Sequence, residues 1–523
     1  MKTRLLLAAM VAVASLAATA HAAAPGITGT GTAGTFNLTA QPAYLTQPDG
    51  QTVYSWGYGC STAPASTNYV PSAITTGSCS SMQVPGPTMI VTEGQTVTVN
   101  LANSLPPSAG NTSILFPGFQ VTTSGGVAGL LTQEAASGGS VSYSFVASTP
   151  GTHSYYSGTQ GDLQVEMGLY GAIIVLPKTI DAACTSGLAT SNLAAQAHWG
   201  EKDFRLAAAA YDHAKTCYDR EYLFQFSEMD PRIHIQAEAQ VAAAGSCTAG
   251  APGCSLQVAT EPYHPAYFLI NGRSMPDDMD PNYSAQYPHQ PYNGNPHLHP
   301  GETVLLRIIG QGRWQHPFHE HANHVRILAR DGNLILSQSD PTLLAGPALF
   351  TTTTTPGVAM DGLFYYTGRG LNWDMYGHNP NSTDATAKLT CTPDANGYNT
   401  GDPTAINYYE WCQDHNKPLQ AAPFGDVAAG GPATLPDPNI LTNGAWYGGS
   451  PYLGADATVR AAGPSGSTPP SGTVANSPNG EAGFAFMWHS HNEREITTNN
   501  AFPGGMMMMM LVDSREFQID ESN

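Results

Sequence analysis

Two stretches of the chain repeat one pattern, and that repeat limits the fold more than any other feature. Gly151-Thr-His-Ser-Tyr-Tyr-Ser-Gly158 leads to Met167-Gly-Leu-Tyr-Gly-Ala-Ile-Ile-Val175, and Phe486-Met-Trp-His-Ser-His491 leads to Gly504-Gly-Met-Met-Met-Met-Met-Leu-Val512. Each time a polar motif at a strand end gives way to a glycine turn and then to an apolar strand. In Thr88–Leu105, Val91, Val97, Val99 and Leu101 alternate with polar residues around a turn at Glu93-Gly94. A period of two is the mark of half-buried strands. Helical periodicity is scarce; one alanine-rich piece, Leu206 to Ala214, is expected to be a short helix. The economical architecture is all-β, with two homologous Greek-key sandwiches in tandem.

The ends and the cysteines bear on the compartment. Lys2 and Arg4 precede an apolar run, Leu5 to Leu16, and Ala20-His21-Ala22 offers a small-x-small cleavage site. Residues 1–22 therefore read as a signal peptide, and the product is expected to be exported to a periplasm or the extracellular space. No segment approaches the roughly 20 apolar residues that a spanning helix needs. The eight cysteines fall in near pairs, Cys60 and Cys79, Cys184 and Cys217, Cys247 and Cys254, Cys391 and Cys412. Such pairs in an exported chain read as disulfides, with connectivity left open. The formal charge is −20 although only 11% of residues are charged, so the surface is polar through Ser, Thr, Asn and Gly and repels nucleic acid and anionic lipid.

Composition and strand signals divide the chain. Residues 23–178 are the first sandwich, 179–216 a connecting segment, and 217–378 the first part of the second sandwich. A Gly/Pro/Asn-rich, loop-rich insertion follows at 379–480, partly pinned by Cys391 and Cys412. Residues 481–523 supply the last strands, with His489-Ser490-His491.

The histidines carry the chemistry. His316-Pro-Phe-His319-Glu-His321 lies on one short segment. In a strand, residues two apart share a face, so His319 and His321 project together while Glu320 points away. The same holds for His489 and His491, with Ser490 opposite. Two such pairs from different strands can converge on one or two metal ions, and imidazole suits copper, zinc, iron or nickel. A lone histidine is more often a satisfied polar contact; His297 and His299, at a turn, and His324 are read that way. In the methionine run, Met506, Met508 and Met510 share one face and read as adaptable core filler. Met506, beside the glycine turn, is also a candidate soft ligand.

These motifs together resemble the multicopper oxidases, the laccase-like cupredoxin family. "PGPTMIVTEGQTVTVNLAN" is similar to that family's opening strands and "GLYGAIIV" to the end of its first domain. "FLINGR", "PGETVLLRI" and "ARDG" resemble a later domain, and "HPFHEH" matches the family's His-Pro-x-His-x-His. The resemblance covers most of the chain except 180–215 and 379–480. It implies cupredoxin-like sandwiches and copper as cofactor. By position it makes His316 a type 1 ligand, His319 a type 2 ligand, and His321, His489 and His491 type 3 ligands, with Met506 where an axial methionine would stand.

The departures from the family pattern are as informative. Ser490 stands where the type 1 cysteine belongs and Glu495 where its second histidine belongs; blue-copper electronics depend on the thiolate. Leu115 and Pro117, and Tyr156 and Gly158, stand at the first domain's ligand places, with His153 out of register. The expectation is a copper-binding protein with a reduced histidine site, in which Glu493 and Glu495 orient imidazoles. Two alternatives stand beside it: a copper-dependent oxidoreductase acting on a small reductant or metal ion, and a secreted structural or interaction protein with a remnant site. Homo-oligomers occur among two-domain relatives and are compatible with this reading.

Overall fold

The computed structural model describes residues 23–367 except 32 and 33, together with 392, 394, 395, 399–409, 449–452, 483–513, 515 and 518–521. The proposed signal peptide, most of the 379–480 insertion and the Cys391/Cys412 pair lie outside the described residues.

The alternating segments form the strands they suggest. In the first sandwich, Thr96–Asn103 pairs antiparallel with Ser140–Val146 and parallel with Thr35–Thr46, which in turn pairs with Thr52–Cys60. Val97, Val99 and Leu101 point inward and are fully buried. The facing sheet runs Gly151–Tyr156, Tyr170–Leu176, Met89–Thr92, Gly26–Thr28, Tyr69–Val70. Trp56, Tyr143, Phe145 and Ile173 fill the space between the two sheets. Mixed parallel and antiparallel pairing follows from Greek-key connections, in which sequential strands cross between layers.

The second sandwich repeats this plan. One sheet is centred on Arg220–Met229 and Thr303–Gly310, which lie parallel, with Ala359–Tyr365 antiparallel beyond them. The other runs His297–Leu298, Met507–Asp513, Gly483–Ser490, His316–Glu320, Thr351–Thr354. Phe224, Phe318, Trp488 and the alternate methionines Met506, Met508 and Met510 make the core. The described residues are mostly β-strand, in two sandwiches in tandem with few helices. Specific polar contacts join the sandwiches: Thr152 Oγ1 donates to Asp361 Oδ1 at 2.6 Å, and Gln311 Nε2 to the Gly171 carbonyl at 3.0 Å.

The helices differ from expectation. Leu206 to Ala214 is irregular, because Ala209 pairs with Cys217 and Ala210 and Tyr211 are drawn into a buried cluster with Leu305 and Leu328; tertiary burial outweighs alanine's helix propensity there. The longer helices are Leu188–His198 and Pro231–Ala244. The second is well signalled: Asp230 caps it through Arg232 N, Pro231 opens it, and Gly245 follows it, the expected asymmetry of helix ends. Disulfides join Cys60 to Cys79, Cys184 to Cys217 and Cys247 to Cys254. Among the described residues, no helix is long and apolar enough to cross a membrane.

Candidate metal centre

Strand register brings the two His-x-His pairs together. His316–Glu320 runs antiparallel to Gly483–Ser490 with His319 opposite His489, and on its other side His319 lies opposite Thr351. The ring centroids of His319 lie 4.8 Å from those of His321, 5.6 Å from His489 and 5.0 Å from His491. His321 and His489 are 5.2 Å apart, with Nε2 facing Nε2 at 3.3 Å. His489 Nδ1 donates to the Ser490 carbonyl at 2.7 Å, which fixes the tautomer and leaves the Nε2 lone pair toward His321. His319 Nδ1 bonds the Thr351 hydroxyl at 2.8 Å. Burial and the neighbouring imidazoles hold the His319 pKa down at about 4, so this ring is neutral at ordinary pH. The cluster reaches the surface: His319, His321 and His489 are buried, whereas the His491 side chain is 53% exposed. Glu320 points the other way, into the core, where its carboxyl accepts from Thr352 and burial raises its pKa to about 8.

His316 is not part of this cluster. Its Nε2 lies 2.9 Å from Glu228 Oε2 and its Nδ1 2.9 Å from Glu495 Oε2, and all three side chains are fully buried. Burial alone would lower its pKa, but the hydrogen bonds and charges of the two carboxylates outweigh that and push it up to about 9. The ring is therefore an imidazolium with both nitrogens taken. Ser490 Oγ donates to the same Glu495 oxygen, and Asn492 Nδ2 to the other oxygen at 2.9 Å. Met506 packs in the apolar core, its amide donating to the Glu495 carbonyl at 2.8 Å. Of the two carboxylates expected beside imidazoles, Glu495 serves His316, while Glu493 stands exposed with Oε1 3.8 Å from His491 Nδ1.

Residues 67–180, the later part of the first sandwich, match the model of the multicopper oxidase family. Multicopper oxidase MCE from Talaromyces pinophilus is 36% identical over 99 residues, 18% of this chain and 16% of that protein, so the match spans a small part of the curated relative's length. Among solved structures, a blue copper oxidase from Nitrosomonas europaea is 14% identical, with 91% of this chain and 85% of that one covered and a TM-score of 0.45. The multicopper oxidase mgLAC is 15% identical, with 92% and 86% covered and a TM-score of 0.44.

The residues that the sequence resemblance sets at first-domain ligand places make other contacts in the structure. Leu115 and Tyr156, at two of the family's first-domain ligand places, form a bridge to one another, with Leu115 N donating to the Tyr156 carbonyl at 2.7 Å. His153 is buried against Phe119, with Nε2 2.9 Å from the Thr149 carbonyl. His297, in the short strand His297–Leu298, and His299, directly before the turn at Pro300-Gly301, are both buried. His299 lies beside Glu201 and Glu302, with potential ligand atoms all within 4.8 Å. Arg220 already bonds both carboxylates, at 2.6 Å to Glu201 and 2.5 Å to Glu302, so this is a buried ion-pair network rather than a vacant ligand set. Glu228 is the residue sequence reading missed. Its one signal was a charge beside the largely apolar run Tyr222-Leu-Phe-Gln-Phe226, where a buried carboxylate needs a partner.

Proposed function

We propose that this chain is an exported copper-binding protein of multicopper oxidase descent that holds its metal through His319, His321, His489 and His491 and has no blue type 1 centre. The observation that carries the reading is the 3.3 Å separation of His321 Nε2 and His489 Nε2. Two nitrogens bound to one tetrahedral ion at about 2.0–2.1 Å stand roughly 3.3–3.4 Å apart. Four imidazoles on two adjacent strands, one fixed in tautomer by a backbone carbonyl, are a donor set that suits copper. Bound there, copper would supply one-electron redox chemistry. The protein's share is to hold the rings neutral and oriented, which burial and the bonds to Thr351 and the Ser490 carbonyl support.

The absence of a type 1 centre in this reading rests on the surroundings of His316, Ser490 and Glu495, whose polar atoms satisfy one another without a metal. An oxidoreductase acting on a small reductant or metal ion is the second reading, and the exposure of His491 favours it, since a small molecule can reach the cluster edge. Copper titration with EPR on purified protein tests the proposal. His319→Ala and His489→Ala should each weaken copper binding at least ~10-fold, the scale of metal-shell losses, while His316→Gln leaves it within about threefold. Equal copper binding in the parent and both alanine variants would refute the site. Robust oxygen consumption with Cu(I), Fe(II) or phenols that vanishes in His321→Ala would favour the second reading.

A further inference from the structure

A cleft of about 290 Å³ lies between the two sandwiches, and none of the four histidines lines it. One wall is the bridge of Leu115 and Tyr156 with Val165; the other is Gln311 to Arg313 with Pro356. The walls come close at Gly357 and Tyr156. Gly357 donates to the Gly310 carbonyl at 2.8 Å and has φ of +77°, and a Cβ there would lie 3.3 Å from Tyr156 Oη. On the opposite side a Cβ on Gly158 would lie 2.8 Å from Leu115. At both positions a side chain would press on Leu115 or Tyr156, two of the residues that line the cleft.

The chemistry of the lining selects the occupant. Arg313 is spent on the Thr260 carbonyl at 2.9 Å, on Glu261 at 2.6 Å and on the face of Tyr263 at 4.1 Å. Gln311 donates to Gly171 and Gln225 and accepts from Ser154. Ser157 donates to Gln164 at 2.6 Å. The Tyr156 hydroxyl has no hydrogen-bond partner among the described residues, and it borders the cleft. At the rim stands Leu131, 65% exposed, next to Leu130, 92% exposed; adjacent exposed leucines beside an apolar opening are a mark of a binding surface.

We propose that this cleft binds a small, uncharged, ring-bearing organic molecule, with the apolar walls covering the ring and Tyr156 hydrogen-bonding its single polar group. With every charge in the lining already paired, an ionic ligand would gain no partner, and the volume suits roughly one or two fused rings, below the range of drug-sized ligands. The site is independent of the histidine cluster and of any metal there.

Indole is the probe, measured by calorimetry on the full chain against 1-methylindole. The parent should bind indole one to one with sub-millimolar affinity. Tyr156→Phe should weaken indole about fivefold, the equivalent of one hydrogen bond of ~1 kcal/mol, and leave 1-methylindole unchanged. Leu115→Trp should abolish binding of both by filling the cleft. Leu131→Asp, which changes an exposed side chain and so spares the fold, should weaken both at least threefold. No one-to-one binding of indole at millimolar concentration would overturn the proposal. So would parental affinity in Leu131→Asp, or equal losses for the two probes in Tyr156→Phe.

Discussion

His316 and His319 stand three residues apart on one strand, and their surroundings drive them to opposite states. His316 faces two buried carboxylates and has its pKa pushed up to about 9; His319 faces three other imidazoles and is held at about 4. Both are buried, so burial alone does not separate them. The partners do. Carboxylates favour the charged ring, whereas like neighbours together with burial favour the neutral one. A charged ring with both nitrogens occupied cannot ligate a metal, and a neutral ring can. The same residue type thus serves as an ion-pair partner at one end of the strand and as a candidate ligand at the other.

The largest test of that contrast is on stability. Removing one member of a buried ion pair strands the other, at a cost of about 3–5 kcal/mol. Glu495→Ala, which strips His316 and Ser490 of their shared acceptor, should lose that much in urea unfolding. His491→Ala, on a half-exposed ring, should lose under about 0.5 kcal/mol. Similar losses in the two variants would erase the distinction between the two ends.

A smaller effect is expected from pH. The folded pKa of His316, about 9, lies above the ordinary histidine value of 6.5. Its stabilisation is therefore fully present below pH 6.5 and lost as pH rises through about 9, by on the order of 3 kcal/mol. The groups that face the ring are Glu228 and Glu495, with Ser490 on the shared oxygen. The stability difference between the parent and His316→Gln should shrink across that window, as read from unfolding at pH 6.5 and pH 9.5. A difference that stays constant would mean the ring is not charged in the folded protein.

The smallest expected effect is an absence. Ser490→Cys puts a sulfur where the sequence resemblance sets the type 1 cysteine, but beside a ring whose nitrogens are both taken by Glu228 and Glu495. The copper-loaded variant should show no intense blue absorption. A strong thiolate-to-copper band would show that His316 can be released from its carboxylates, and would break the comparison.

What was legible in the sequence follows the range of the forces involved. The period of two that puts Val97, Val99 and Leu101 inward is set by backbone geometry and local burial, so the strands were readable without the fold. The sharing of a face by His319 and His321 rests on the same rule. The contact of His316 with Glu228 spans 88 positions, and that with Glu495 spans 179; no local pattern encodes either. Pro231–Ala244 was written in its caps, Asp230 and Gly245, but those signals lie in a chain where helical periodicity is otherwise weak. Leu206 to Ala214 shows the converse, since alanine content reports propensity while the site reports burial of Tyr211 against Asp361, its hydroxyl donating at 2.6 Å.

The methionine strand has a consequence for the protein's encounter with oxidants. Thioethers convert readily to sulfoxides, which are polar and disrupt cores, yet Met506, Met508 and Met510 are fully enclosed by the second sandwich. Peroxide can reach them only when that sandwich opens. Their sulfoxidation rate, followed by mass spectrometry of the C-terminal peptide, therefore becomes a clock for opening of the domain that carries all four clustered histidines.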